Sequence, residues 1–207
     1  MKNTIKNVAK IVPVVVLMIL LAACGKGDDQ KAYDTVKLLQ SSTYYYEGKF
    51  YDGSDLDGYT IKMAVKGSEF VISFTDQEGA ELGRSLNVDG KGYYVDTASK
   101  EYSRDTYYDD VTFSYSGLEF IESGTGTIKA LAGIEDEDLY FEKYEATYGS
   151  ELGVMQFYFK EDKLYAIQED FVDATGAEIS EVVVINKISS EIPADWFEIP
   201  EDYKETK

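Results

Sequence analysis

The chain has 207 residues, no histidine, a single cysteine and a net charge of −19, from 39 acidic residues against 20 basic ones. Without histidine or a second thiol, Ser-His-Asp, Cys-His and zinc-protease chemistry are excluded, and so are disulfides. A surface this acidic repels nucleic acid and anionic lipid headgroups.

The N-terminus has three parts. Lys2, Lys6 and Lys10 form a basic region without acids, Ile11 to Leu20 form an apolar run broken only by Pro13, and Leu21-Ala22-Ala23 precede Cys24. This is the layout of a secretory signal, and the run is shorter than the ~20 residues of a spanning helix. Leu21-Ala22-Ala23-Cys24 resembles the lipobox of bacterial lipoproteins. That resemblance implies cleavage before Cys24 and a diacylglycerol on its sulfur. An ordinary secretory signal with a chance cysteine, or an uncleaved anchor, leaves the position of the lone thiol unexplained. Residues 1–23 are therefore expected to be a lipoprotein signal peptide, and residues 24–30 a lipidated polar tether. Each buried methylene contributes ~0.8 kcal/mol, so two acyl chains anchor firmly. The expected location is the extracytoplasmic face of a bacterial membrane, with the membrane held as a partner through the diacylglycerol on Cys24. Loss of three signal lysines makes the mature chain more acidic still, so the lipid and not the folded body must do the anchoring.

Residues 31–207 read as a single domain. Asp29 to Ser42 carry Ala32, Val36 and Leu39 at helical spacing, with Asp28 or Asp29 to cap the start; a longer disordered tether is the alternative. From Thr43 the period changes to two. Tyr59, Ile61, Met63 and Val65 alternate with polar or small residues, Phe70, Ile72 and Phe74 follow, and Leu82, Leu86 and Val88 continue the pattern. Asp89-Gly90 predicts a tight turn into Tyr93-Tyr94-Val95, and Lys100 to Asp105 a short further strand. Residues 106–138 break the pattern and predict a partly helical crossover packed on the sheet, since a free linker would not carry Phe113, Leu118, Phe120, Ile121, Ile128 and Leu131. Strands resume with Met155, Phe157 and Phe159, then Leu164 to Phe171 and Ile179 to Ile188. The fold class is α+β: one large twisted antiparallel sheet with a few helices covering one face.

Three motifs carry sharper readings that the residues do not support. Asp52 to Thr60 looks like a calcium loop, but Gly53 and Ala64 occupy the two positions where ligands are required; a solvated hairpin turn is the better reading. Asp109-Asp110 and Glu135 to Asp138 read as solvated charge, and nothing sets the carboxylate spacing that glycoside hydrolysis needs. The clusters Tyr44-Tyr45-Tyr46, Tyr93-Tyr94 and Tyr107-Tyr108 could stack on sugars. Tyrosine also suits a half-buried strand, with one ring of a doublet facing the core and its neighbour facing water. No enzyme is expected, and no catalytic residue, metal ligand or cofactor is assigned.

Taken in order, the lipobox, the helix before Thr43-Tyr44-Tyr45-Tyr46, the Val88-to-Val95 hairpin and the close from Ile192 to Tyr203 resemble the LolA/LolB-like lipoprotein-carrier superfamily. The resemblance covers nearly the whole mature chain. It implies an incomplete, strongly curved β-barrel with helices closing its mouth, and a binding protein whose hollow holds acyl chains or another hydrophobic small molecule. No functional residue of the family is carried over. If the sheet curves around such a hollow, one parity of each strand lines it: Ile61, Met63 and Val65, then Phe70, Ile72 and Phe74, and Met155, Phe157 and Phe159. The competing expectation is a surface interaction or sensory lipoprotein with a filled core, binding protein or glycan through exposed tyrosines.

Overall fold

The structure is a computed structural model and describes residues 30–54, 57–109, 111, 113, 115, 117–128, 138–148, 151–172 and 175–206. The signal segment, Cys24, Asp28, Asp29, Asp55, Asp110, Leu131 and Glu135 to Glu137 lie outside the described residues. One helix, α1 (Tyr33–Gln40), precedes a run of strands: β1 (Thr43–Tyr51), β2 (Thr60–Lys66), β3 (Glu69–Thr75), β4 (Glu81–Val88), β5 (Lys91–Asp96) and β6 (Glu101–Arg104). After a 3-10 turn at Thr106–Tyr108 come β7 (Glu119–Gly126), β8 (Leu139–Tyr148), β9 (Glu151–Lys160), β10 (Lys163–Val172), β11 (Glu178–Ser189) and β12 (Lys204–Glu205).

All twelve strands form one sheet, in the order β12-β6-β5-β4-β3-β2-β1-β11-β10-β9-β8-β7. Two antiparallel meanders, β1 to β6 and β7 to β11, are joined by the central pairing of β1 with β11. Among the described residues only β12 pairs in parallel, with β6. The sheet is not closed, because β7 and β12 end it on opposite sides.

The strand order forces curvature. A flat sheet would set β6 and β7 roughly 48 Å apart, at about 4.8 Å per strand. The connection from Arg104 to Glu119 reaches about 50 Å only when fully extended, and it begins with a turn. The sheet therefore curls toward this crossover. Phe113, Tyr115 and Leu118 lie against its concave face, and Tyr44 Oη donates to the Phe113 carbonyl at 2.8 Å.

The expected few helices reduce to α1 and one 3-10 turn among the described residues. Among its described residues the crossover between β6 and β8 holds the 3-10 turn at Thr106–Tyr108 and, unforeseen, the edge strand β7. Ser123, Gly124, Thr125 and Gly126 offer little to a helix, and β8 supplies a ladder. Helix α1 is shorter than Asp29 to Ser42, and its N-cap residue Ala32 gives no side-chain bond. Glu142 of β8 supplies the missing acceptor from 110 positions away, 3.0 Å from the Ala32 N–H.

Both faces of the sheet carry core. Val71, Leu86 and Val95 point to the convex side, under Trp196, Phe197, Ile199 and Tyr203. The strand order again gives the reason: β11 is central and β12 lies at the β6 edge, so the chain between them must cross that face. This corrects the expected behaviour of the tyrosine run. Tyr44, Tyr45 and Tyr46 are all buried, because the ring of Tyr45, on the convex side, meets Trp196 edge-on at 5.4 Å. Tyr107, at 76% exposed, follows the simpler rule.

Candidate functional site

The concave face is apolar along its length. Tyr44, Tyr46 and Phe50 of β1 sit beside Ile61, Met63 and Val65 of β2, and Phe70, Ile72 and Phe74 of β3 follow in register. Across the sheet, Ile167 of β10 and Met155, Phe157 and Phe159 of β9 belong to the same cluster. All nine residues that the alternation assigned to one lining thus share one face and one cluster. Helix α1 covers this face through Ala32, Val36 and Leu39, and Gln40 Nε2 reaches the Leu118 carbonyl of the crossover at 3.4 Å.

The two ends of this face differ. One part is sealed: Phe70, with Tyr108 and Phe113 of the crossover against it, and Phe157 are fully buried, and Val65, Met63 and Met155 retain at most 2% exposure. Glu142 lies at this end, also fully buried. It accepts from the Ala32 N–H and from the Tyr144 and Tyr140 hydroxyls, each at 3.0 Å. A carboxylate withdrawn from water needs such donors.

Along the central strand β11 and at Ile72 and Phe74 of β3 the face is less covered. Val183, Ile185 and Ile188 of β11 are half-buried, as are Ile72, Phe74 and Leu164. A central strand would ordinarily be the best covered in a sheet, so half-buried isoleucines there mark an unsealed floor. Gly48 of β1 faces Ile185 at a register shift. A side chain at position 48 would collide with the Val184 carbonyl, so glycine is required where the two meanders join.

This less covered stretch ends in acids. Glu169 and Glu181 are cross-strand partners of β10 and β11 on the concave side. Tyr115 Oη donates to Glu169 at 2.9 Å. Burial, then Glu169, then Asp52 push the Glu181 carboxyl up to about 7. Burial also holds the Tyr44 and Tyr46 hydroxyls well above the usual tyrosine range, reinforced for each by Glu169. Sequence reading missed this polar end, although Glu169 and Glu181 each share strand parity with apolar concave residues.

The remaining motifs are occupied locally. Asp57 Oδ1 accepts the N–H groups of Asp52 and Gly53 at 2.8 and 2.9 Å, which makes the suspected calcium loop a self-bonded turn. Asp109 accepts from the Gly92 N–H and pairs with Arg104 at 2.9 Å. Arg84 pairs with Glu81 at 2.8 Å, on the convex face. Among the described residues no group of histidine, cysteine or acidic side chains is arranged to hold a metal ion.

No protein-family model matches the sequence, and no curated protein matches it. Among solved structures the fold is similar to that of an uncharacterized conserved protein from Thermus thermophilus. That similarity has 10% identity, covers 86% of this chain and 99% of the other, and has a TM-score of 0.43. The fold is also similar to that of a LolA superfamily protein from Nitrosomonas europaea. Here the identity is 12%, over 79% of this chain and 95% of the other, with a TM-score of 0.39. The likeness is one of fold in outline, and no site or activity is carried over from either protein.

Proposed function

We propose that the protein is a non-enzymatic binding protein that takes an apolar or amphiphilic molecule against the concave face of its sheet. The observation that supports this reading is the half-buried apolar floor on the central strand, Val183, Ile185 and Ile188. Such a floor gains ~25 cal/mol for every square ångström of apolar surface that a ligand removes from water. The acidic end at Glu169 and Glu181 disfavours an anionic headgroup, so the preferred ligand is neutral or cationic.

We also propose that Cys24 carries the diacylglycerol that holds the chain at the outer face of the membrane. Metabolic labelling with a palmitate analogue should mark the wild-type protein, and Cys24→Ser should release it from the membrane fraction. Unlabelled wild-type protein that still fractionates with membrane overturns the anchor.

The binding reading is tested with a neutral naphthylamine probe. The wild-type protein should enhance its emission saturably, and Ile185→Trp should abolish that enhancement while the protein stays folded. A second reading, a filled core with no ligand, is favoured by the near-complete burial of Phe70, Phe157 and Met155. It prevails if the wild-type protein binds no probe and Ile185→Trp unfolds it.

A further inference from the structure

The convex face holds a hollow that the concave reading does not use. It has a volume of about 260 Å³ and is lined by Leu86, Val88, Asp89, Lys91, Tyr93, Phe197 and Ile199. Its floor follows from register: Leu86 pairs with Tyr93 and Val88 with Lys91, so these four side chains share one face of the β4–β5 hairpin. Phe197 and Ile199, from the chain segment that crosses this face, form the opposite wall. The hairpin turn is tight, with Asp89 and Gly90 both in the left-handed region at φ of 52° and 71°. This sets one acidic and one basic side chain on either side of a single glycine, above an apolar floor.

Within ion-pair distance neither the Asp89 carboxylate nor the Lys91 ammonium has a partner among the described residues, although Lys91 acts at longer range on Asp109 and the Asp89 N–H donates to Glu69 at 3.4 Å. The hollow lies just below the 300–1,000 Å³ usual for drug-sized ligands, so it takes one apolar group and not a two-chain lipid. The strongly acidic chain repels simple anions, and Lys91 at the mouth opposes simple cations. A zwitterion escapes both penalties.

We infer that this hollow binds a free α-amino acid with an apolar side chain, the side chain resting on Leu86, Val88, Tyr93, Phe197 and Ile199. Asp89 receives its ammonium group and Lys91 its carboxylate. This site is independent of the concave face, so either can fail without the other.

Trp196 provides the readout. It is the chain's only tryptophan, adjacent to Phe197 and in the same apolar cluster. L-phenylalanine and L-leucine should change its emission saturably. Glycine should not, and phenethylamine and 3-phenylpropanoate, each lacking one charge, should bind about tenfold more weakly than phenylalanine. Asp89→Asn keeps a residue tolerant of the left-handed turn. It should make phenylalanine and 3-phenylpropanoate bind alike. Lys91→Gln should do the same for phenylalanine and phenethylamine. Loss of structure would not move the two pairs of ligands in this crossed way. The inference is overturned if phenylalanine and leucine give no saturable change at millimolar concentration, or if all three phenyl compounds bind equally to the wild-type protein, which would make the hollow an apolar crevice only.

Discussion

Two carboxylates on the same concave face have opposite surroundings. Glu142, beneath α1, is fully buried and meets three donors, one of them the helix N-terminus itself. Glu181, on the central strand, is partly buried opposite a second glutamate, with Asp52 adding to the same negative field. The first arrangement ties a helix, two tyrosines and a strand into one unit. The second leaves charge facing charge beside half-buried apolar residues. Burial of an acid thus marks structure where donors converge and a candidate binding surface where they do not. The contrast also separates the sealed part of the concave face from the part that a ligand could reach.

The comparison breaks most sharply at its sealed end. Phe157→Ala should cost about 3–5 kcal/mol in chemical denaturation, because the fully buried ring meets Tyr144 edge-on at 5.3 Å and its loss leaves a cavity. Glu142→Leu should cost about 2–4 kcal/mol, since the Ala32 N–H and two tyrosine hydroxyls lose their acceptor. A stable Glu142→Leu protein would show that α1 does not depend on this acceptor.

Overpacking distinguishes the two ends directly. Val65 retains 1% exposure, so Val65→Trp should destabilise by about 1–3 kcal/mol. Ile185→Trp enters the half-buried stretch and should cost about 1 kcal/mol or less. Equal losses at both positions would erase the distinction between sealed and reachable floor.

One expected effect is a gain. The Glu181 carboxyl is raised to about 7 when folded, from an ordinary glutamate value of 4.5. The folded state therefore keeps a proton that the unfolded chain releases. The associated stability is fully present below about pH 4.5 and is lost as pH rises toward 7. Glu181→Gln removes this loss. It should stabilise the protein by about 1–2 kcal/mol at alkaline pH, leave it nearly unchanged in mild acid, and flatten the pH dependence of the melting temperature. A gain that persists at low pH would assign the effect to packing instead of charge.

Much of this was legible in the chain. Period-two alternation placed the nine apolar residues of β2, β3 and β9 on one face, because side chains alternate strictly along a strand. Asp89-Gly90 marked a hairpin because glycine and aspartate accept the left-handed backbone. The crossover was visible as an apolar segment without strand period, although its strand β7 was not, since a helical connection can carry a similar composition.

What local pattern could not supply was the partner across the sheet. Glu169 and Glu181 are 12 positions apart in sequence, and only the β10–β11 register sets them opposite each other. Glu142 meets α1 across 110 positions. Alternation alone puts Tyr45 on the face opposite Tyr44 and Tyr46, and the chain that covers it there comes from the far end of the sequence. The sequence by itself determined the strands with clear period-two alternation, their apolar parity and the tight turns, because these depend on neighbours within a few residues. The tertiary structure alone decided which segment covers each face and which acids are satisfied, because those follow from the order of strands in the sheet. That order places β6 and β7 at opposite sides and so sends the intervening chain across the concave floor.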